Sequence, residues 1–275
     1  MAIRKRSHQT DAADWLAAYD QQLRGDAETR GAVAVKHLGP LHLATFPGQR
    51  GFITYRDLAG ADEDAIRKLV AEARSHFAAD PSVTRVEWKT RGHDQAPGLH
   101  DALVDNGFNP EDPESIMLGR AELLAVDVTL PAGVTLRRVE ERDDVRAMAQ
   151  MQALVFGDDD FAERADAILQ HLRDSEELEL WVAEHGGQIV SAGRLERVPG
   201  TQFAGIWGGA TLPEWRGRGI YRALTAARAR SALARGATLI HSDSTEFSRP
   251  ILERAGLIKV ATTTPYQHTP DRKLG

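Results

Sequence analysis

A buried strand, a glycine-rich turn and an alanine-rich helix follow one another between residues 203 and 235, and this segment constrains the fold most. Residues 203–210 are apolar and rich in glycine, as expected of a strand inside a sheet. Residues 220–235 are mostly Ala, Leu and Arg and are predicted to form a helix. Gly217 and Gly219 lie at its entrance, so the sequence predicts a strand that turns tightly into a helix.

A turn of this kind is suited to a diphosphate. The first N–H groups of a helix have no partner within the helix, and the positive end of the helix dipole lies beside them. Glycine allows a positive φ and leaves room for a phosphate to approach. Arg216, Arg218 and Arg222 add positive charge near the same point. Three further arginines are predicted to lie on the solvent-facing side of the helix: Arg228, Arg230 and Arg235.

Two other phosphate-binding patterns are excluded by the residues themselves. No G-x-x-x-x-G-K-[ST] sequence occurs, which excludes a P-loop. The dinucleotide fingerprint requires a third glycine where this chain has Arg222. Two alternatives stay open for the Arg-Gly-Arg-Gly sequence, an ordinary basic turn and part of a surface that binds nucleic acid.

Residues 216–221, Arg-Gly-Arg-Gly-Ile-Tyr, resemble the R/Q-x-x-G-x-G/A motif of the GCN5-related N-acetyltransferase (GNAT) family, which binds the pyrophosphate of acetyl-CoA. Tyr221 departs from the motif, because Gly or Ala is usual there. The predicted order of strands and helices in residues 134–266 is also similar to the fold of this family. Residues 248–257 resemble the helix that closes over the coenzyme.

The resemblance implies acetyl-CoA as co-substrate and gives roles to particular positions. In the family, backbone N–H groups of the strand before the motif meet the pantetheine and the thioester. The coenzyme-binding residues implied on the strand are Gly209, Ala210 and Thr211. Those implied at the turn and helix entrance are Arg216, Gly217, Arg218, Gly219, Ile220, Tyr221 and Arg222.

Acetyl transfer to an amine needs a proton acceptor, a donor for the oxyanion and an acid for the thiolate. Leu252 stands where many relatives have a tyrosine acid, and Gly205 where some have a glutamate base. We therefore predict that the catalytic side chains come from the end of the strand at residues 237–243. The candidates are Asp243, Ser244 and Ser248, with His241 and Glu196 as further possibilities. Each of these also has an ordinary structural interpretation as a cap, a turn bond or a solvated charge.

The first half of the chain is predicted to contain a helix from Thr10 or Asp11 to about Gly25, then three short strands and a helix over residues 62–79. A strand, a short helix and a strand follow, up to residue 120. Residues 121–133 are predicted to be a linker.

The two halves align with each other when Gly107-Phe108 is matched to Gly256-Leu257. We therefore predict an α/β fold with mixed sheets, in which two GNAT-like domains occur in tandem over residues 1–125 and 134–275. An unrelated α+β N-terminal domain is the alternative. Asp62, Glu63 and Asp64 occupy the strand-to-helix junction of the first half, where they would repel a diphosphate. The N-terminal domain is thus predicted to be degenerate and to bind no coenzyme.

Composition limits the partners and the compartment. The 275 residues carry a net charge of −6, which argues against a nucleic-acid partner, and they include no cysteine. No apolar run reaches the length of a membrane span, and residues 1–10 lack the apolar segment of a signal peptide. The histidines show no metal-binding spacing. We expect a soluble cytoplasmic protein without a metal or a membrane partner.

The sequence thus predicts an N-acetyltransferase that transfers an acetyl group from acetyl-CoA to an amine by direct attack in a ternary complex. The acceptor is a small molecule or a peptide. The alternatives are a protein that senses acyl-CoA without turnover and a nucleic-acid-binding protein that uses the Arg-rich turn. Neither the acceptor nor the oligomeric state follows from the sequence.

Overall fold

The computed structural model of the chain describes residues 2–157 and 160–270. The described residues form two compact units. The first contains residues 2–116, 244–246 and 259–270, and the second contains residues 117–243 and 247–258. The outer limits of the predicted domains, Met1 and residues 271–275, lie outside the described residues.

The first unit is built from three helices and six strands, the last of which comes from the end of the chain. Its helices are α1 (Ala2–Gln22), α2 (Glu63–Ala78) and α3 (Leu99–Asp105), and a 3₁₀ turn covers Gly25–Thr29. Its strands are β1 (Ala34–Leu38), β2 (Leu41–Phe46), β3 (Arg50–Tyr55), β4 (Arg85–Arg91), β5 (Asn109–Pro110) and β12 (Ile258–His268), of which Ile258 lies in the second unit.

The sheet of the first unit has the strand order β1-β2-β3-β4-β12. The pairs β1–β2, β2–β3 and β4–β12 are antiparallel, whereas β3–β4 is parallel. Its core contains apolar side chains from the sheet, from α2 and from α3, with Trp88, Phe77 and Phe108 among the largest. Burial of this apolar surface is the main stabilising contribution to the unit.

Helix α1 begins at Ala2, not at Thr10 or Asp11 as the capping pattern predicted. Residues 2–9 include neither Pro nor Gly, so nothing in this segment prevents the helix from extending upstream of the candidate cap. The predicted helix at residues 62–79 has its N-cap at Asp62 and begins at Glu63.

The strand β6 (Glu114–Arg120) passes from the first unit into the second, which begins at Met117. The second unit contains the helices α4 (Ala121–Leu124), α5 (Arg142–Phe156), α6 (Phe161–Asp174), α7 (Ile220–Ala234) and α8 (Arg249–Ala255). Its further strands are β7 (Val134–Val139), β8 (Leu178–His185), β9 (Gln188–Arg197), β10 (Phe203–Thr211) and β11 (Leu239–Ser244), whose last residue lies in the first unit.

The sheet of the second unit has the order β11-β10-β9-β8-β7, with β10–β11 parallel and the other pairs antiparallel. Two apolar clusters are formed. One contains residues of α5 and α6 with β8 and β9, and the other contains residues of α4, α7 and α8. No helix within residues 2–157 and 160–270 has the length and apolarity needed to cross a bilayer.

Two features differ from the predicted division of the chain. The predicted linker contains α4, whose Ala121 and Leu124 are fully buried in the second unit. The final strand β12 was predicted to belong to the second half, but Lys259 and the residues after it lie in the first unit, where β12 pairs with β4. The partner of a strand lies far away in the chain, so strand composition alone does not reveal it.

Candidate coenzyme and acyl-transfer site

The turn between β10 and α7 has the backbone conformation that its glycines predict. Gly217 has a φ of +73°, and Gly219, the N-cap of α7, has a φ of +79°. A Cβ on Gly217 would meet nothing within 4 Å, and one on Gly219 would meet Val128 Cγ1 at 3.6 Å, an ordinary contact. The glycines are therefore required by the left-handed backbone, not by crowding within the chain.

Six consecutive N–H groups at this turn are free to bind an anion. The backbone N–H groups of residues 217–222 donate no hydrogen bond to an acceptor in the described part of the chain. Gly219 offers no side-chain cap, and the first turn of α7 contains no acidic residue. A helix N-terminus with unsatisfied donors and no local carboxylate is suited to a phosphate group.

The three arginines of the turn have different surroundings. Arg216 Nε donates a hydrogen bond to the carbonyl oxygen of Thr211 at 3.0 Å, which links the turn to the end of β10. The guanidinium of Arg218 lies over the ring of Trp215, 5.0 Å from its centroid. Arg222 lines a cavity of about 150 Å³ together with Thr225 and Arg254.

The corresponding helix entrance in the first unit is capped by the side chain of the helix's own N-cap residue. The carboxylate of Asp62 accepts a hydrogen bond from the backbone N–H of Ala65 at 2.9 Å, and Glu63 and Asp64 lie in the first turn of α2. These negative charges complement the dipole of their own helix and would repel a phosphate.

The strand β10 has an open edge next to β11. The two strands pair only between Phe203–Gly205 and Leu239–His241. Farther along β10, the pairing with β9 is interrupted between Trp207 and Ala210, and Gly208 within this bulge has a φ of +58°. Gln152 of α5 donates a hydrogen bond from Nε2 to the carbonyl oxygen of Gly208 at 2.6 Å. A splayed pair of strands with a bulge leaves backbone groups available to an extended ligand.

Tyr221, the residue that departs from the motif, lies against this strand. A Cβ on Gly209 would be 2.6 Å from Cε2 of Tyr221 and 3.0 Å from its hydroxyl oxygen. Tyr221 packs against the apolar cluster that contains Leu252, which is 1 % exposed. The phenol ring therefore packs against β10 at Gly209, in the segment predicted to bind the thioester, while the N–H of Tyr221 lies at the turn.

The sequence predicted Arg228 on the solvent-facing side of α7, but the structure places it in the interior. Its side chain is 1 % exposed, and its Nη1 donates to the carbonyl oxygen of Arg194 at 3.1 Å. A Cβ on Gly193 would be only 2.5 Å from the same nitrogen, so Gly193 makes room for the guanidinium. Burial lowers the pKa of Arg228, and a hydrogen bond with Tyr221 opposes this shift.

The side chains predicted to act as acid and base lie around the end of β11. Asp243 is half-buried and Ser244, the last residue of β11, is 2 % exposed. Ser248 is the N-cap of α8, and its side chain makes no capping hydrogen bond. Asp243 and Ser248 belong to the second unit and Ser244 to the first. Their catalytic role remains a prediction.

The structure brings together a pair that sequence spacing did not predict. Glu196 of β9 lies directly opposite Gly205 of β10, and its Oε1 is 3.2 Å from Nε2 of His171 on α6. Gly205 is the position at which the family resemblance places a glutamate base. A carboxylate on the neighbouring strand therefore occupies the region next to that position. The sequence could indicate Glu196 only as a single candidate base. It could not indicate the pair, because His171 is 25 residues away on another element.

The electrostatics of this pair favour its charged form. Burial raises the pKa of Glu196, but the hydrogen bond from His171 and the nearby charges of His171, Arg194 and His241 outweigh burial and lower it. The hydrogen bond to Glu196 raises the pKa of His171, against the effect of burial.

One group of possible metal ligands occurs among the described residues, and it lies in the first unit. The ligand atoms of Asp26, His37 and His42 all lie within 4.8 Å of one another, and Asp26 and His37 are exposed. Ligands of a tetrahedral zinc ion lie about 3.4 Å apart, as follows from metal–ligand distances near 2.1 Å. His42 Nδ1 lies 3.2 Å from Asp26 Oδ1, so these two side chains contact each other directly, and we assign no metal to the group.

Comparison with known proteins finds a family match largely within the second unit. Residues 145–256, which include α5 from its fourth residue onward, α6–α8 and β8–β11, match the family described as "Acetyltransferase (GNAT) family". No match was found among curated proteins.

Solved structures of GNAT proteins share the fold over most of the chain. A GCN5-related N-acetyltransferase from Kribbella flavida is 19 % identical with a TM-score of 0.66, covering 96 % of this chain and 97 % of that one. A tandem GNAT protein from the clavulanic acid biosynthesis pathway is 15 % identical with a TM-score of 0.62, covering 85 % and 79 %. A GCN5-related N-acetyltransferase from Sphaerobacter thermophilus is 17 % identical with a TM-score of 0.62, covering 85 % and 78 %.

The predicted α/β fold of the tandem GNAT type is thus confirmed. Residues 145–256 thus match the model of the GNAT family, a family of acyltransferases that take acetyl-CoA as co-substrate, and solved GNAT structures have the same fold.

Proposed function

We propose that the second unit transfers an acetyl group from acetyl-CoA to the amine of an acceptor by direct attack in a ternary complex. The single observation that carries this proposal is the row of N–H groups at residues 217–222, which donate to no acceptor in the described residues and are followed by a helix without an acidic first turn. This arrangement provides donors and positive potential for a diphosphate.

The coenzyme is proposed to run from this turn along the open edge of β10. The diphosphate would accept hydrogen bonds from residues 217–222, with Arg216, Arg218 and Arg222 nearby. The backbone of Gly209, Ala210 and Thr211 would then meet the pantetheine and the thioester. The splaying of β10 from β11 beyond Gly205 supports this path, because β11 does not pair with residues 209–211.

The reaction needs one proton to be removed from the acceptor and one to be delivered to the thiolate. The neutral amine attacks the thioester carbonyl, a C–N bond forms, and the carbonyl oxygen becomes negative. The C–S bond then breaks, and the departing CoA thiolate is protonated. Positioning in the ternary complex supplies much of the acceleration, since the thioester is already an activated acyl donor.

We propose the pair Glu196 and His171 as the proton acceptor. Glu196 lies opposite Gly205, where the resemblance expects a base, and the imidazole of His171 contacts its carboxylate. Above the raised pKa of His171, the pair carries one negative charge and can take up one proton, which the imidazole then holds. Asp243, Ser244 and Ser248 remain the predicted candidates for the acid that protonates the thiolate.

The second candidate function is binding of acyl-CoA without turnover. The observation that favours it is the environment of Leu252, a buried apolar residue at the place where the resemblance expects a tyrosine acid. The two functions differ in one measurement. An enzyme releases free CoA from acetyl-CoA in proportion to added amine, whereas a sensor binds acetyl-CoA and leaves it intact.

The test combines calorimetric titration of acetyl-CoA with a thiol assay over a panel of amines. Binding together with amine-dependent CoA release supports the proposal. Binding without release from any amine would favour the sensor, and absence of binding would contradict both.

A further inference from the structure

Arg194 of β9 lies beside the bulge of β10. Arg194 is the ladder partner of Trp207, the residue immediately before the interruption. Its Nε is 3.4 Å and its Nη2 is 3.7 Å from the position that a Cβ on Gly208 would occupy. The guanidinium therefore lies over the backbone at Gly208, one residue before the segment proposed to meet the thioester.

Arg194 and the proposed base share one face of the sheet. Side chains two residues apart on a strand point to the same side, so Arg194 and Glu196 both project toward the helices α5 and α6. Two contacts support this direction. His171 of α6 contacts Glu196, and the amide of Gln152 on α5 is 3.1 Å from the same Cβ position on Gly208.

The positive charge of Arg194 is not matched by a carboxylate at contact distance. Within the described residues, its guanidinium makes no hydrogen bond and no ion pair. The charge of Glu196 favours the charged form of Arg194, but Glu196 is already in contact with His171, and the charge of Arg164 disfavours the charged form. A half-buried cation without an ion pair lowers the stability of the fold, because removing its charge from water costs free energy. An anion bound at this place would compensate for that cost.

We propose that Arg194 binds the carboxylate of the acceptor, an inference that rests on the proposed acyl transfer. The acceptor is then a small amino acid whose carboxylate lies close to the reacting amine. The planar guanidinium matches a carboxylate through two parallel N–H···O bonds. Because the guanidinium lies one residue from the thioester-binding segment, the distance between amine and carboxylate must be short, as it is in an α-amino acid.

The proposal predicts a preference that is measured with matched pairs of acceptors. The panel contains α-amino acids, their amides and the amines that lack the carboxylate. The parent chain is expected to release CoA with the acids at a kcat/KM at least about 30-fold above that with the amides. This factor corresponds to the binding free energy that is lost when one partner of a desolvated charge pair is removed.

Arg194→Met should raise the KM for the acids by a similar factor relative to the amides, because any effect through the pKa of Glu196 acts on both kinds of acceptor alike, and the preference should therefore collapse. Arg194→Lys should restore part of it, because it returns the charge without the planar fork. Arg173→Met is the matched control, since Arg173 is exposed on α6 and its Nη2 donates a hydrogen bond to Oε1 of Gln170 on the same helix. Acetyl-CoA affinity should be the same in all four proteins.

A separate binding measurement keeps this proposal distinct from the proposed function. The chain is saturated with CoA, and the thermal shift caused by each amino acid is compared between the parent and Arg194→Met. A shift that is lost in the variant supports the role of Arg194 even in a chain that releases no CoA, an outcome that would contradict only the acyl transfer. Amides that bind and react as well as the acids would overturn the proposal, as would a preference that survives Arg194→Met.

Discussion

The ring of Tyr221 lies against Gly209 so closely that a Cβ at position 209 would be 2.6 Å from Cε2 of the tyrosine. The φ of Gly209 is outside the left-handed region, so an alanine there would meet a steric conflict and no backbone strain. Gly209→Ala should therefore lower the free energy of unfolding by about 1–3 kcal/mol, the usual cost of overpacking.

A double-mutant cycle checks this relationship. In the Tyr221→Ala background the space is empty, so Gly209→Ala should cost much less, and urea unfolding of the four proteins measures the difference. An equal cost in both backgrounds would mean that the ring is not what excludes a side chain at position 209.

Gly219 should be needed for acetyl-CoA binding because its positive φ directs the N–H groups of the turn to one point. Gly219→Ala is expected to weaken binding at least tenfold, about 1.4 kcal/mol. Gly236 is the matched control. It follows α7 at its other end with a φ of +86°, and a Cβ there would meet nothing within 4 Å.

Both glycine substitutions should lower stability by about 1–2 kcal/mol, because each forces an L-residue into the left-handed region. Only Gly219→Ala should change the calorimetric Kd. Equal affinities in the two variants would remove the diphosphate-binding role from the turn.

The chain should bind one molecule of acetyl-CoA, not two. The N–H of Ala65 at the entrance of α2 is already bound by Asp62, and Glu63 and Asp64 add negative charge there. Calorimetry should give a stoichiometry near one per chain. Asp62→Ala should cost about 1 kcal/mol of stability through loss of the cap and create no second site. A two-site isotherm that becomes one-site after changes in the first unit would show that the N-terminal domain is not degenerate.

Glu196→Gln should lower kcat by roughly 100-fold, the scale of general-base catalysis, and leave acetyl-CoA affinity unchanged. The glutamine retains the shape of the side chain and removes the negative charge. Asp243→Asn is measured in parallel, because the sequence predicts a catalytic role for Asp243. A loss of kcat confined to Asp243→Asn would overturn the assignment of Glu196 and support the sequence-based prediction.

The ion pair of His171 and Glu196 should stabilise the fold most between the ordinary pKa values of the two groups, about 4.3 and 6.5. The pKa of Glu196 is lowered in the folded chain, so its contribution is present above its ordinary value and is lost as the pH falls through the folded one. The pKa of His171 is raised, so its contribution is complete below its ordinary value and is lost as the pH rises through the folded one.

The difference in unfolding free energy between the parent chain and His171→Gln should therefore be largest near pH 5–6, between these two values, and decline toward pH 8. Its size should stay below about 1 kcal/mol, because the side chains of His171 and Glu196 are 42 % and 36 % exposed. Denaturant titrations at several pH values measure the difference. A difference that grows with pH would contradict the pairing.

The sequence by itself determined the features that depend on neighbouring residues. Glycines at positions 217 and 219 allow a left-handed turn, and the Ala- and Leu-rich segment after them forms a helix. The Asp62 cap and the short helix before Gly256 follow from equally local preferences. The motif at residues 216–221 lies within this local pattern, so the family resemblance depends on neighbouring residues alone.

Only the tertiary structure decided which distant residues meet. It paired β12 with β4, buried Arg228 beneath Gly193, placed Tyr221 on Gly209 and brought His171 to Glu196. Local sequence preferences reach a few residues, whereas these contacts depend on the packing of whole elements that are separated along the chain. The chemistry of the turn could therefore be predicted from its own residues, but the charges around the proposed acceptor site could not.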